Sequence, residues 1–301
     1  MTIETIKQQF EIPEHITFST SSDGFIFIDI ENSAARAQVC LHGGHITAFT
    51  PTDQSPVIWV SKHAVFKAGK AIRGGVPICW PWFGDHPSDS SKPAHGIART
   101  ALWSVIHTEQ VSPTLSIVKV QLTDTDASRA IWPHAFNLTL SVSVGEKLAF
   151  SLTAENTGND SMTLSSALHT YFNISDTGKT SVSGLDSVEY LDKFDNGAKK
   201  PQSGDIVITE PTDRVYLNTT SDCTIKDSGF NRTIQVEKAG SQTTVVWNPW
   251  AENAAKMGDF GDDEYPTMIC VEAANAADDI IEVAPGGSHT ISQTITSTTN
   301  S

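Results

Sequence analysis

The segment FNLTLSVSVGEKLAFSLTAEN, residues 136–156, constrains the fold more tightly than any other part of the chain. Phe136, Leu138, Leu140, Val142 and Val144 share one parity, Gly145 and Glu146 supply a turn, and Leu148, Phe150 and Leu152 resume the alternation. Successive side chains of a strand point to opposite faces, so this pattern buries one face of a hairpin and leaves the other half-solvated.

Shorter strands of the same kind are read in GFIFIDIE, RAQVCLHG, LSIVKVQL, RTIQVEK, TTVVWN, TMICVE and SHTISQTIT, separated by Gly, Pro, Asn and Asp. Helical periodicity is confined to residues 2–10, to ASRAIWPHAF and to AENAAKMGDF. The chain is therefore expected to be all-β, with large antiparallel sheets packed face to face. No linker, composition shift or repeat divides the 301 residues, so one domain over 1–301 is expected. Binding groups would project from the concave face of one sheet and from its loops.

Charge narrows the ligand class. With 20 Lys and Arg against 35 Asp and Glu, the net charge of −15 repels phosphodiester backbones and anionic lipid. Nucleic acid is not an expected partner, and a small anionic substrate would need a local cationic pocket. Cys40, Cys79, Cys223 and Cys270 are scattered, lack Cys-x-x-Cys spacing and sit in apolar strings, so they read as reduced, buried thiols. The N-terminal stretch has neither a basic nor an apolar leader region, and no window approaches the ~18 apolar residues of a membrane span. A cytoplasmic location is expected, and a monomer, since no large apolar patch is evident.

Several residues interrupt the alternation where a β core would not place them. His169, in LHTYF, is either a core histidine bonded to backbone or a proton donor and acceptor near neutral pH. Glu272 closes the apolar run TMICVE: at a solvated strand end it would be unremarked, whereas desolvation would raise its pKa and suit it to act as a base. Arg73 precedes Gly74 and Gly75, and Arg99 follows Gly96 by three residues, so both guanidinium groups could face an anion across exposed backbone; surface ion pairs are the alternative. Trp80, Trp82, Phe83, Trp247 and Trp250 are core by default, and next to Pro, Gly and Asn they also suit a sugar platform. His42 and His45 in HGGH, with HGIAR, do not form a familiar metal-ligand spacing, so neither metal nor other cofactor is expected. Nucleophile-elbow, P-loop and dinucleotide signatures are absent.

In order, RGGVPICWPWFG, HGIAR, LHTYF, TDRVY, WNPW and VEAAN resemble the aldose 1-epimerase superfamily, in particular its hexose-6-phosphate mutarotase branch, over residues of about 20 to 296. The resemblance implies a galactose-mutarotase-like β-supersandwich and interconversion of the α and β anomers of an aldohexose 6-phosphate, glucose 6-phosphate among them. It further implies His169 as the acid that protonates the ring oxygen and Glu272 as the base at the anomeric hydroxyl. By the same comparison Arg73 and Arg99 match phosphate ligands and Asp213 a hydroxyl-binding acid. His95 matches a second site histidine, and Asn248 with Trp247 matches the pocket wall. Ala94 stands where the family pattern has glutamine, which leaves sugar preference open. A free-aldose mutarotase and a non-catalytic phosphosugar-binding module are the competing readings; a glycosidase fits less well, since it wants two carboxylates around one bond.

Overall fold

The hairpin of residues 136–156 forms as Phe136–Val144 against Lys147–Asn156, in register from Phe136↔Asn156 to Val144↔Leu148. The structure, a computed structural model, describes residues 2–300. This hairpin lies within an eight-stranded antiparallel sheet, here the regular sheet. Its order is Thr180–Ser183, Cys223–Asp227, Arg232–Ala239, Ser288–Thr299, Lys147–Asn156, Phe136–Val144, Leu115–Thr123 and Ser104–Ser112. Leu138, Leu140, Val142, Phe150 and Leu152 point inward and are buried, as the alternation requires.

A second eight-stranded sheet, the site sheet, packs its inner face on that layer. Its order is Ala198–Pro201, Glu189–Asp192, Thr212–Tyr216, Thr243–Asn248, Met268–Asn275, Ser166–Leu168 and Ile78–Cys79, with Tyr171–Asn173 also paired to Met268–Asn275. Val246, Ile269, Val271 and Ala273 meet the regular sheet in one apolar cluster. At an intermediate ~25 cal/mol per Å² of apolar area, burial between two such faces is the main stabilising term. A four-stranded meander over residues 16–51 extends the same core.

The strand-like run MTLSSALHTYF, residues 162–172, forms three short strands. Met162–Leu164 pairs with Ile281–Val283 in a separate two-stranded sheet, while Ser166–Leu168 and Tyr171–Asn173 join the site sheet. The three helical segments form at Ile3–Phe10, Asp126–Ile131 and Trp250–Ala254. The second stops early because Trp132, which precedes Pro133, turns extended (φ −139°, ψ 105°). The third begins one residue ahead of AENAAKMGDF and ends at Ala254, leaving the rest of that segment in turns. All four cysteines are buried and unpaired, matching expectation. Among the described residues no helix is long and apolar enough to cross a membrane.

Candidate active site

One doubly buried strand and one interrupted neighbour build the centre. Every residue of Met268–Asn275 is buried. On one side Glu272 lies beside Val245. On the other, Leu168 pairs with Ala273 and Tyr171 with Cys270, which leaves His169 and Thr170 facing Glu272 and Val271. The His169 N–H turns away to donate to the Pro77 carbonyl at 3.1 Å. Period two nonetheless persists: Leu168 and Phe172 enter the inter-sheet core, while Tyr171 clusters with Cys270 on the opposite face.

His169 Nδ1 lies 3.2 Å from Glu272 Oε1, with side-chain exposures of 12% and 1%. The approach is off the line a hydrogen bond needs, and among the described residues both His169 Nδ1 and Glu272 Oε2 lack a hydrogen-bond partner. Burial, and then Asp213, raises the Glu272 carboxyl well above its ordinary range. Burial, and then the neighbouring His95, Arg99 and Arg73, holds His169 well below the usual histidine range. In the substrate-free pair the proton therefore sits on the carboxyl. Moving it to the imidazole gives a carboxylate and an imidazolium at the same proton count.

His95 stands next to this pair, its ring centroid 6.0 Å from that of His169 in an edge-on arrangement. Its Nδ1 accepts from Gly84 N–H at 3.2 Å, which places the ring proton on Nε2. Burial and the two arginines push its pKa down to about 3, so it is a neutral donor. Gly96 must be glycine: φ is +76° and a Cβ would lie 2.1 Å from Trp80 O. The motifs HGIAR and CWP are thus locked together by a Trp80–Gly96 bridge.

Arg73 is brought to the same face, but its guanidinium is engaged. Nε and Nη2 reach the Asp259 carboxylate at 3.2 and 3.3 Å, and Nη1 donates to Tyr171 Oη at 3.3 Å. Gly74 and Gly75 have φ of +102° and +67°, and a Cβ on Gly75 would meet His45 Nε2 at 2.3 Å. His45 Nε2 lies 2.7 Å from Gly74 O, bracing the turn from below. Arg99 makes one bond among the described residues, from Nη2 to Ala94 O at 2.9 Å. Ala94 therefore supplies its backbone carbonyl where a side-chain amide was expected.

Asp213 pairs in register with Trp247, two strands from Cys270, and burial lifts its pKa to about 6. Trp247 stands edge-on to His169 at 6.0 Å, and Tyr171 stacks on His169 at 4.9 Å with 9° between planes. Asn248 departs from expectation. It is fully buried, its Nδ2 donates to Tyr265 O and Met268 O at 2.8 Å each, and its Oδ1 accepts from Trp250 N–H. No polar atom is left for a substrate, because period two turns Asn248 away from the face that Trp247 occupies.

Four contributors escaped the sequence reading. Tyr171 carries no signal beyond its place in LHTYF, and Asp259 lies in a loop with no pattern. Cys270 shares parity with Glu272, a signal that was available. Gln293 occupies an inward position between Ile291 and Ile295, where an amide breaks the apolar alternation. It accepts from Thr170 Oγ1 and donates to Val271 O at 2.9 Å, touching the neighbours of both His169 and Glu272. Beside the centre, past Phe83 and His95, opens a cleft of about 710 Å³ lined by Trp82, Phe83, Trp132, Leu191, Lys193 and Val215 among others. Its size is that of a small-molecule site. His169, Cys270 and Glu272 are also a possible metal-ligand set, which sequence spacing did not suggest.

The model of the aldose 1-epimerase family matches residues 27–296. A protein of Escherichia coli (strain K12) provisionally named glucose-6-phosphate 1-epimerase is 38% identical over 258 residues, 85% of each chain. One of the same provisional name from Cenchrus ciliaris is 38% identical over 83% of this chain and 78% of its own. The crystal structure of a candidate mutarotase from Salmonella typhimurium superposes with a TM-score of 0.90 at 31% identity, covering 97% of this chain and 96% of that one. A galactose mutarotase-like protein from Clostridium acetobutylicum shares the fold at a TM-score of 0.70 and 15% identity, over 94% and 98% of the two chains.

Proposed function

The chain belongs to the aldose 1-epimerase family and is an isomerase of sugar anomers; on that premise we propose that its substrate is an aldohexose 6-phosphate, glucose 6-phosphate first, and that His169 and Glu272 move the protons. Ring opening needs a proton to leave O1 while another reaches O5; closure on the other face reverses both transfers. Glu272 as carboxylate and His169 as imidazolium begin the step, and both are neutral once the ring is open. That neutral form is the one which the desolvated site favours. A bound aldehyde therefore waits in an enzyme state of low electrostatic cost, free to rotate before closure.

The observation that carries the reading is the contact itself: a buried carboxyl oxygen 3.2 Å from an imidazole nitrogen that, like the other carboxyl oxygen, has no hydrogen-bond partner among the described residues. Unsatisfied buried polar atoms cost about 1–3 kcal/mol each, so a fold retains them where a ligand completes them. The Gly84 bond leaves Nε2–H as the donor of His95, which suits a sugar hydroxyl or ring oxygen. Arg99, with donors to spare, and Arg73 supply the positive charge that an otherwise acidic surface lacks. All these groups come from one chain, so a monomer suffices.

Polarimetry or exchange NMR on freshly dissolved α-glucose 6-phosphate tests the proposal. We expect acceleration over buffer, and a KM raised about tenfold or more in Arg73→Ala, the loss of charged hydrogen bonds worth ~1.5–3 kcal/mol. A free-aldose substrate is the second reading, favoured by the pairing of Arg73 with Asp259. It predicts equal acceleration of galactose and indifference to Arg73→Ala.

A further inference from the structure

We infer that the reaction centre is also a binding site for zinc, held by His169 Nδ1, Cys270 Sγ and a Glu272 carboxylate oxygen, with a fourth position left to water. Among the described residues these three side chains place one donor atom each within 4.8 Å of one another. Cys270 and Glu272 come from one strand at a spacing of two and so share a face, and His169 enters from the neighbouring strand. Among the described residues His169 Nδ1 and one oxygen of the same Glu272 carboxyl, Oε2, are buried without a hydrogen-bond partner, and Cys270 is fully enclosed.

Tetrahedral zinc with bonds of about 2.0–2.3 Å separates its ligands by about 3.3–3.8 Å. His169 Nδ1 and Glu272 Oε1 are already 3.2 Å apart, and since all three donors lie within 4.8 Å, closure asks no pair to approach by more than about 1–1.5 Å. A nitrogen, a sulfur and an oxygen suit zinc, whereas magnesium and calcium want oxygens alone. Binding takes up Zn²⁺ and releases the thiol proton of Cys270 and the carboxyl proton of Glu272. Two positive charges then meet two negative ones, and the buried complex is neutral despite the nearby guanidinium groups of Arg73 and Arg99.

Metal binding stands on this donor geometry alone. Its consequence, inhibition that substrate and zinc impose on each other, rests on the roles proposed above for His169 and Glu272. The two are separated by reading the metal directly. Cobalt(II), titrated into the metal-free protein as a zinc probe, should give a thiolate-to-cobalt charge-transfer band and intense tetrahedral d–d bands, lost on adding zinc. Cys270→Ala, checked for native circular dichroism, should lose the charge-transfer band and bind zinc at least tenfold more weakly by calorimetry. Cys270→Ser serves if the alanine variant misfolds. Zinc should inhibit the wild-type enzyme, with chelator restoring activity. An absent charge-transfer band, or a band and zinc affinity unchanged in both Cys270 variants, overturns the site. Binding without inhibition keeps the site and overturns instead the catalytic roles of His169 and Glu272.

Discussion

The two eight-stranded sheets share one core and differ in what their other faces do. In the regular sheet, Phe136–Val144 alternates buried and half-exposed residues without a break, and its outward positions are Asn, Thr and Ser. In the site sheet, Met268–Asn275 is buried at all eight positions and carries a carboxyl, a thiol and an amide. A strand covered on both sides has no solvent to soften its charges, so Glu272 is desolvated by topology before any neighbour acts on it. One sheet supplies rigidity, and the other carries the reactive groups at the expense of stability.

The largest effect that would break this division is Glu272→Gln. Removing the base should slow anomer exchange by about 10²–10⁴-fold, the usual worth of a positioned acid or base, while leaving Tm equal or higher near neutrality. The pH dependence fixes the sign. Because the folded Glu272 carboxyl titrates well above its value in the unfolded chain, the folded state holds the extra proton once pH exceeds the ordinary carboxylate range. Wild-type stability from this group is full below about pH 4.5 and declines as pH rises towards the elevated folded value. The Tm advantage of Glu272→Gln should therefore widen between pH 5 and pH 8, measured by calorimetry; an advantage that narrows would contradict the desolvated carboxyl.

Leu140→Ala is the counterpart in the regular sheet. Leu140 is wholly buried, and its truncation should cost about 2–5 kcal/mol in denaturant unfolding while kcat of the folded protein stays within about twofold. A large loss of kcat without a matching loss of stability would mean that the buttress takes part in the chemistry.

Legibility in the sequence follows the same division. The regular sheet could be read because one buried face imposes period two, and all the strands named from that pattern form. His169, Glu272, Arg73, Arg99, His95 and Trp247 could be singled out because polar and aromatic groups violate that pattern, and the structure brings them to one face of the site sheet. Asn248 misled because its neighbour Trp247 faces the site, whereas parity turns the amide inward. Asp259 was invisible since an ion pair between residues 73 and 259 is made by the loop after Trp250–Ala254, where no periodicity operates. The split of MTLSSALHTYF was hidden because parity survives the break while the hydrogen-bond partners change.

Gln293 joins the two sheets and sharpens the comparison. It is the regular sheet's polar contact with Thr170 and with the Val271 carbonyl. Gln293→Leu fills a similar volume but orphans both partners, an expected loss on the order of 1–3 kcal/mol in unfolding free energy. Gln293 touches no substrate and is a positioning residue, so the variant should lower kcat several-fold with KM little changed. Gln293→Glu should restore part of kcat, since its carboxyl can still accept from Thr170. Stability loss with full kcat would reduce Gln293 to a packing residue.

The smallest effect concerns Asp259, which decides how the site sheet's cations are shared. On the proposed reading its carboxylate and the substrate phosphate compete for Arg73, and both Asp259 and Arg73 are about a quarter exposed. A partly solvated pair of this kind is worth up to ~1 kcal/mol, so freeing the guanidinium should change affinity by no more than about fivefold. Asp259→Asn should therefore lower KM for glucose 6-phosphate by that factor and leave any turnover of galactose unaltered. Rising salt should shrink the difference, because screening weakens the native pair and the substrate contact alike. A KM that rises instead would mean that Asp259 holds Arg73 in its binding pose, and the guanidinium would then act through orientation by Asp259 and Tyr171 rather than by release from them.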